Sequence, residues 1–502
     1  FLSPPTPLRK GGEEEVSPPT PLRKGGEEGR LATDVVADVA DGLLVGEEGR
    51  LATDVVTDVA DGLLVGEEGR LAADVVTDVA DGLLAGEVTN TSSSSTSNPS
   101  SSPLSKGGRG GLNSLPKIKL LMCSNSLDFT GAPLHQYEIA VKLASAGIVK
   151  PIIFSPTEGP LRKVYEEKNI EVIVLDNPLE HIYRRDAYDA ALGSFSEEIE
   201  KLNPDVIYAN TLENFFLIDI AHKLNIPSLW NVHESEPWQT YFNRFGPEIA
   251  TRALECFPYP YRIIFVADAT RDKYLPLNSD RNFTVIHNGL DLDLLKDAAK
   301  KWSPEEARAA LGVKYDEIVL LILGTVCERK GQIDLVKALP FIASEWVGKI
   351  KCFIVGDRPS LYSNQLSALV AGLPEELKGR IEIVPETPDT AKYYQAADIF
   401  VCTSRIESYP RVILEAMAYN LPIVTTPVFG IVEQVKPGIN GLFYTLNKPE
   451  ELASQLMVLL EDEELRLRLA DNAKYVLDAL NTFEEMTDAY SQIFCEAYFS
   501  GS

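Results

Sequence analysis

Residues 398–424 read DIFVCTSRIESYPRVILEAMAYNLPIV, and the order of their parts decides the fold. The apolar run Asp398–Thr403 has the length and composition of a buried strand. Glu407 follows in a short loop, Pro410 opens a helical stretch that carries Glu415, and a second apolar run begins at Pro422. Strand, loop, helix and strand in succession form the repeating unit of a parallel sheet, and continuous apolar strands mean that helices cover both its faces. At the carboxyl edge of such a sheet, free N–H groups and the helix dipole point outward, which makes a natural anion site.

Working outward, the same alternation runs on both sides. IKLLMCS, PIIFS, VIVL, VIYAN, SLWNV and RIIFV are apolar runs between Ile118 and Val266, with helical patterns at Leu134–Ala146, Leu161–Lys168, Asp186–Leu202 and Glu213–Leu224. The pattern restarts after Trp302. There Ser303-Pro-Glu-Glu is a capping box with Pro at the first helical position. IVLLILG, KCFIVG, IEIV, DIFVCTS, PIVTT and GLFY follow, with a helix from Gln332 and another from Pro410. The expected fold class is α/β: two Rossmann-like doubly wound domains facing a cleft, over 116–290 and 291–482. A last helix, over 483–502, is expected to return to the first domain.

The chain has 502 residues, 45% of them hydrophobic, enough for a core in each domain. Its net charge of −27 argues against a nucleic-acid partner, which needs a basic footprint. Cys123, Cys256, Cys327, Cys352, Cys402 and Cys495 form no CxxC pair, so neither a zinc site nor a disulfide framework is expected, and a reducing cytoplasm fits. No apolar stretch approaches the roughly 20 residues of a membrane-spanning helix. The start, Phe1-Leu-Ser-Pro-Pro, lacks the charged and apolar regions of a secretory leader.

Residues 1–115 are of another kind. They carry 9 basic against 19 acidic side chains, net −10, leaving −17 for the rest. EEGRLATDVVADVADGLLVG at Glu27–Gly46 recurs nearly unchanged at Glu47–Gly66 and Glu67–Gly86, a period of 20. SPPTPLRKGGEE occurs at Ser3 and Ser17, with an echo at Ser102. Leu31, Val35, Val39 and Leu43 suit one face of a short helix, which Gly42, Gly46 and Gly49 interrupt. Two readings stay open: a small interaction array, or duplicated sequence without selected function. Near-identity of the units favours the second, since packed repeats need atypical caps. Residues 90–111, rich in Ser, Gly and Pro, read as a flexible linker, so the whole segment is expected to be a disordered tail.

Glu407 and Glu415 can accept hydroxyl hydrogen bonds from a sugar and a ribose on either side of a phosphate held at the helix end. Glu-x7-Glu with these flanks resembles the signature of the retaining glycosyltransferases of family 4, whose fold is called GT-B; the resemblance covers roughly 117–499. It implies that Glu407 contacts the donor sugar and Glu415 the ribose, while the N–H groups around Ser408 and Tyr409 face the diphosphate. Gly324-Thr-Val-Cys-Glu-Arg-Lys330-Gly331 resembles that family's diphosphate loop, usually Gly-Arg-x4-Lys-Gly. Lys330 matches the Lys, but Thr325 stands where the Arg usually is, and Arg329, Arg405 and Arg358 are all candidates to replace it. The resemblance makes Gly324, Thr325 and Arg329 donor contacts.

Three further stretches fit the same family less specifically. Ser126-Leu-Asp128-Phe-Thr-Gly131-Ala-Pro sits where it has its Gly-rich loop, which implies that Gly131 lies against the donor. Trp230-Asn-Val-His233 follows a strand and, by the resemblance, puts His233 near the donor's anomeric region. Val285-Ile-His287-Asn288-Gly289-Leu-Asp291 resembles the loop entering the inter-domain segment; Asn288 and Gly289 tolerate positive φ, so a tight turn is expected. Asp291-Leu-Asp293 spells the metal-binding DxD of the other large glycosyltransferase fold, but it follows this loop rather than a strand end in a nucleotide-binding first half.

The resemblance therefore implies a retaining transferase moving sugar from a UDP- or GDP-linked donor to a glycan or lipid-linked saccharide. Glu407, His233 and Lys330 carry the catalytic roles, and neither metal nor cofactor is expected. The location is cytoplasmic, with peripheral contact to the inner face of a membrane left open. Two other classes are weighed: a different GT-B enzyme, phosphorylase-like or a nucleotide-sugar epimerase, and a non-catalytic sugar-nucleotide binder, which Thr325 suggests and Glu407, Glu415 and Lys330 argue against. The acidic repeats should be dispensable: deleting residues 1–111 is expected to leave donor hydrolysis within roughly tenfold, about 1.4 kcal/mol in the barrier. A larger loss would overturn that.

Overall fold

The computed structural model describes residues 117–501, apart from 178, 181, 279 and 280. The repeats, the linker and the helix considered for them lie outside the described residues. Within them, thirteen strands form two sheets in which every pairing is parallel. The first holds β1 (Ile118–Cys123), β2 (Val149–Ser155), β3 (Glu171–Val174), β4 (Val206–Asn210), β5 (Ser228–Val232), β6 (Arg262–Phe265) and β7 (Phe283–Val285) in the order 3-2-1-4-5-6-7. The second holds β8 (Ile318–Leu323), β9 (Ile350–Asp357), β10 (Ile381–Pro385), β11 (Ile399–Cys402), β12 (Ile423–Thr425) and β13 (Gly441–Phe443) in the order 10-9-8-11-12-13. In both, the order reverses beside the first strand, between β1 and β4 and between β8 and β11. A ligand crevice opens at such a switch point, outside the carboxyl ends of the strands.

Each sheet is covered on both faces, as its apolar strands require. Along β1, Leu121 and Cys123 join one core cluster while Ile118, Leu120 and Met122 join the other, the period of two that a pleated strand imposes. The helix Phe483–Ser500 completes the second of these clusters. Phe483, Met486, Tyr490, Phe494 and Ala497 make one buried stripe at helical spacing and pack on the first sheet, although the helix follows the second sheet in the chain. A capping box of Thr482 and Glu485 starts it. Cys123, Cys256, Cys352 and Cys402 are buried as free thiols. Among the described residues, no helix is long and apolar enough to cross a membrane.

Two local expectations are corrected. The helix placed at Leu134 starts at Gly131, so Gly131 belongs to its first turn and not to a loop. Pro133 marks a start that can be read too late: in a first turn its missing N–H has no partner to lose. The second correction concerns Asn288 and Gly289, neither of which adopts positive φ. Gly289 is required by close approach instead: a Cβ there would lie 2.3 Å from the Thr482 carbonyl oxygen and 2.7 Å from Phe483 Cα, at the start of the closing helix. Gly289→Ala is therefore expected to destabilise the chain by about 1–3 kcal/mol, the usual cost of overpacking. Urea unfolding measures it, and an unchanged midpoint would contradict the contact.

Candidate active site

The loops that follow β8 and β11 lie side by side because those strands are neighbours at the switch point. Thr403 Oγ1 donates to the Lys330 carbonyl (2.8 Å), the Arg405 amide to the Arg329 carbonyl (2.8 Å), and Arg329 Nη1 to the Ile406 carbonyl (2.9 Å). Gly331 permits this approach: its φ is +69°, and a Cβ would lie 2.4 Å from the Thr403 carbonyl oxygen. The result is a buried carboxylate ringed by donors. Glu407 Oε1 is contacted by Lys330 Nζ, by Arg329 Nη1 at 3.0 Å and by Ser404 Oγ at 3.1 Å. Its Oε2 has no hydrogen-bond partner among the described residues. Burial pushes the Glu407 carboxyl up, but Lys330 and Arg329 outweigh it and hold the group below its ordinary range.

Glu415 sits in the helix Arg411–Ala418, where Tyr394 OH donates to its Oε2 (2.9 Å) and Tyr394 stacks on Tyr419. No side chain caps that helix, and while the Ile413 amide donates to the Pro410 carbonyl (3.2 Å), the N–H groups of Arg411 and Val412 are open to an anion. Ser408 and Tyr409, just before it, are buried against the first lobe. Ser408 Oγ donates to the His233 carbonyl and lies 2.7 Å from Ser235 Oγ, and the Tyr409 carbonyl accepts from Asn288 Nδ2 (3.1 Å).

Of the three arginines left open, only Arg329 contacts Glu407. Arg405 is tied to Asp334 (3.1 Å) and Asn447. Arg358 pairs with Glu386 (2.5 Å), whose same oxygen accepts from Thr325 Oγ1 (3.2 Å). Gly324 ends the strand with φ of +139°. Gly131 is exposed at the head of its helix, with open space where a Cβ would stand.

His233 follows β5 across the crevice. Desolvation lowers its imidazole to about 3, so it is neutral near pH 7. The neighbouring Glu234 carboxyl is pushed by burial up to about 7, although the amides of Leu212 and His233 both donate to it at 3.1 Å.

Several contacts have no signal in the local sequence. Arg411 binds Glu138 of the first lobe through both nitrogens, at 2.5 and 2.9 Å. A cation at the start of a helix opposes the dipole, which is the one hint that Arg411 has a distant partner. Asp268, His287 and Glu433 also meet, with one ligand atom of each within 4.8 Å of the others, a group the metal-free expectation did not foresee. Each already has a partner. Arg271 Nη1 is 2.6 Å from Asp268, and Glu433 accepts from the amides of Asp268 (3.2 Å) and Ala269 (2.8 Å) and from His287 Nε2 (2.8 Å). Asp291 caps the helix Leu292–Ala299 by accepting from the amides of Asp293 and Leu294.

A family model described as Glycosyl transferases group 1 matches residues 303–476, and one described as Glycosyltransferase Family 4 matches 129–294, so each lobe has its own match. The chain is a family 4, group 1 glycosyltransferase. Among curated relatives of this glycosyltransferase, alpha-monoglucosyldiacylglycerol synthase of Acholeplasma laidlawii is 25% identical over 295 residues, 56% of this chain and 72% of that one. D-inositol 3-phosphate glycosyltransferase 1 of Catenulispora acidiphila is 29% identical over 183 residues, 35% of this chain and 43% of that one. The solved structure of Anabaena HepE in complex with UDP superposes with a TM-score of 0.62 at 21% identity, covering 76% of this chain and all of that one. That likeness shows the fold, which is GT-B.

Proposed function

We propose that this glycosyltransferase moves a sugar from a nucleoside-diphosphate donor to a glycan or lipid-linked acceptor, with retention and without a bound metal. The observation that carries the reading is the convergence of Lys330 and Arg329 on Glu407, beside an uncapped helix N-terminus at the switch point. Positive groups fixed in a crevice stabilise a diphosphate as charge develops on it, a role otherwise filled by a divalent cation. The names of similar proteins agree with the substrate class: HepE is solved with UDP-glucose, and the Acholeplasma relative is a glucosyldiacylglycerol synthase.

The anomeric carbon–oxygen bond breaks with its electron pair going to the diphosphate, where Lys330, Arg329 and the open amides of Arg411 and Val412 receive the charge. The acceptor hydroxyl attacks the face that the diphosphate is leaving and gives its proton to a phosphate oxygen, which preserves the anomeric configuration. Glu407 Oε2 accepts a hydroxyl of the donor sugar and positions it; Glu415 accepts from the ribose. His233 adjoins the sugar. Arg329 takes the place of the arginine missing at Thr325. A lipid-linked acceptor brings the crevice to a membrane surface peripherally.

Turnover is expected to persist in excess EDTA. Loss of activity restored by Mn²⁺ would overturn the metal-free reading and direct attention to Asp268, His287 and Glu433.

The two glutamates separate in a binding experiment. Glu415→Ala should weaken UDP and UDP-glucose alike, because both contain ribose. Glu407→Ala should weaken UDP-glucose and turnover while leaving UDP binding unchanged or tighter, since it also releases two cations. Each lost charged hydrogen bond costs about 1.5–3 kcal/mol, which calorimetry resolves. Equal losses for both ligands in both variants would mean that the carboxylates serve only the loop.

A further inference from the structure

Beneath His233 lies a chain of buried polar groups whose direction is dictated from one end. Asn210 Nδ2 donates to the Ala132 carbonyl (3.0 Å), which turns Asn210 Oδ1 toward Asn231. Asn231 Nδ2 donates to that oxygen (3.1 Å), so Asn231 Oδ1 faces the other way, where Tyr490 OH donates to it at 3.0 Å. With its proton on Asn231, Tyr490 accepts from His135 Nε2 at 3.1 Å, which leaves His135 Nδ1 buried without a partner. Asn210, Asn231 and Tyr490 are fully buried, so water cannot rearrange them.

His233 Nε2 is caught between opposite demands. It lies 2.6 Å from Asn231 Nδ2, which has only hydrogens to offer, and 2.9 Å from Asn210 Oδ1, which has only lone pairs. Asn231 is nearer, and Asn210 Oδ1 already has Asn231 as donor. Nε2 therefore carries the lone pair, and the proton of the neutral ring sits on Nδ1. Reversing the Asn231 amide would set two carbonyl oxygens against Nε2 and move the proton there. The Tyr490 hydroxyl, which donates to Asn231 Oδ1 beside the Tyr208 hydroxyl, opposes the reversal.

We propose that Tyr490, on the closing helix, is a positioning residue that acts through Asn231 to hold His233 as its Nδ1–H tautomer, so that His233 offers the sugar a hydrogen-bond donor and not a base. The last clause rests on the crevice being the donor site; the tautomer does not. The apolar stripe that packs this helix under the first lobe thereby also brings it the hydroxyl that settles the direction of the network.

Nitrogen-15 NMR of the full chain with labelled histidine tests it, the His233 signal being assigned by its loss in His233→Gln. The wild type should show a protonated Nδ1 and an unprotonated Nε2 at pH 7. In Tyr490→Phe that pattern should reverse or average, and kcat with UDP-glucose should fall about tenfold, the size of one hydrogen bond, with UDP affinity within twofold. Asn231→Asp, which presents only acceptors, should place the proton on Nε2, and it serves if Tyr490→Phe does not fold. A wild-type ring protonated on Nε2, or an unchanged pattern in either variant, would overturn the proposal. If UDP-glucose is not turned over at all, the ring-nitrogen pattern still decides the tautomer, so the two readings fail separately.

Discussion

A carboxylate removed from water must be paired, and the arrangement of this molecule's second lobe follows from how Glu407 meets that demand. Its own loop supplies only Ser404. The two cations come from the loop after β8, which reaches Glu407 because β8 and β11 are adjacent although β9 and β10 lie between them in the chain. A different strand order would leave Glu407 buried and unpaired, at a cost of several kcal/mol. The same pairing holds Lys330 and Arg329 in place without a ligand. Under the proposed function, a diphosphate would meet cations already positioned, and would exchange one anionic partner for another instead of ordering two long side chains from solution.

The lobes meet through polar contacts and a small apolar seam, in which Val266, Ala267 and Leu290 pack with the second lobe's core. Arg411 with Glu138, Ser408 with the His233 carbonyl, Asn288 with Tyr409, and Glu433 with the amides of Asp268 and Ala269 all cross between them. The core clusters, by contrast, stay mostly with one sheet or the other. Polar contacts can be exchanged for water on opening at modest net cost, and a small apolar seam adds less resistance than a shared core would. This is the kind of boundary that lets a substrate enter between two rigid sheets.

The sheets were legible because parallel strands buried on both faces are uninterrupted apolar runs, and IVLLIL, SLWNV and VIYAN have no other economical reading. Short helices such as Trp238–Asn243 and Asp268–Tyr274 leave no legible signal, because two turns give too few repeats of the period. Gly289 was legible as a structural glycine but for the wrong cause: its neighbour Thr482 lies in another element, and a turn-based argument sees only local φ. The loops bearing Lys330 and Glu407 stood out because each follows a strand within a few residues. Their partners did not. Tyr490 is 259 positions from Asn231 and Glu138 is 273 from Arg411, separations at which a single sequence carries no pairing signal.

The chemistry of the crevice then turns on where protons are absent. His233 is neutral, and its one lone pair faces Asn231, so it has no basic site to offer an acceptor hydroxyl. Glu407 is held ionised, yet one of its oxygens carries two cations and a hydroxyl, which drain its basicity. With both groups removed as proton acceptors, the proposed reaction leaves the diphosphate oxygens, which gain charge as the glycosidic bond lengthens, and the Glu234 carboxyl, which burial pushes up to about 7, to take the proton. Under the proposed function, a residue set that withholds these two bases while presenting donors suits departure and attack on one face of the sugar, the geometry that retention requires.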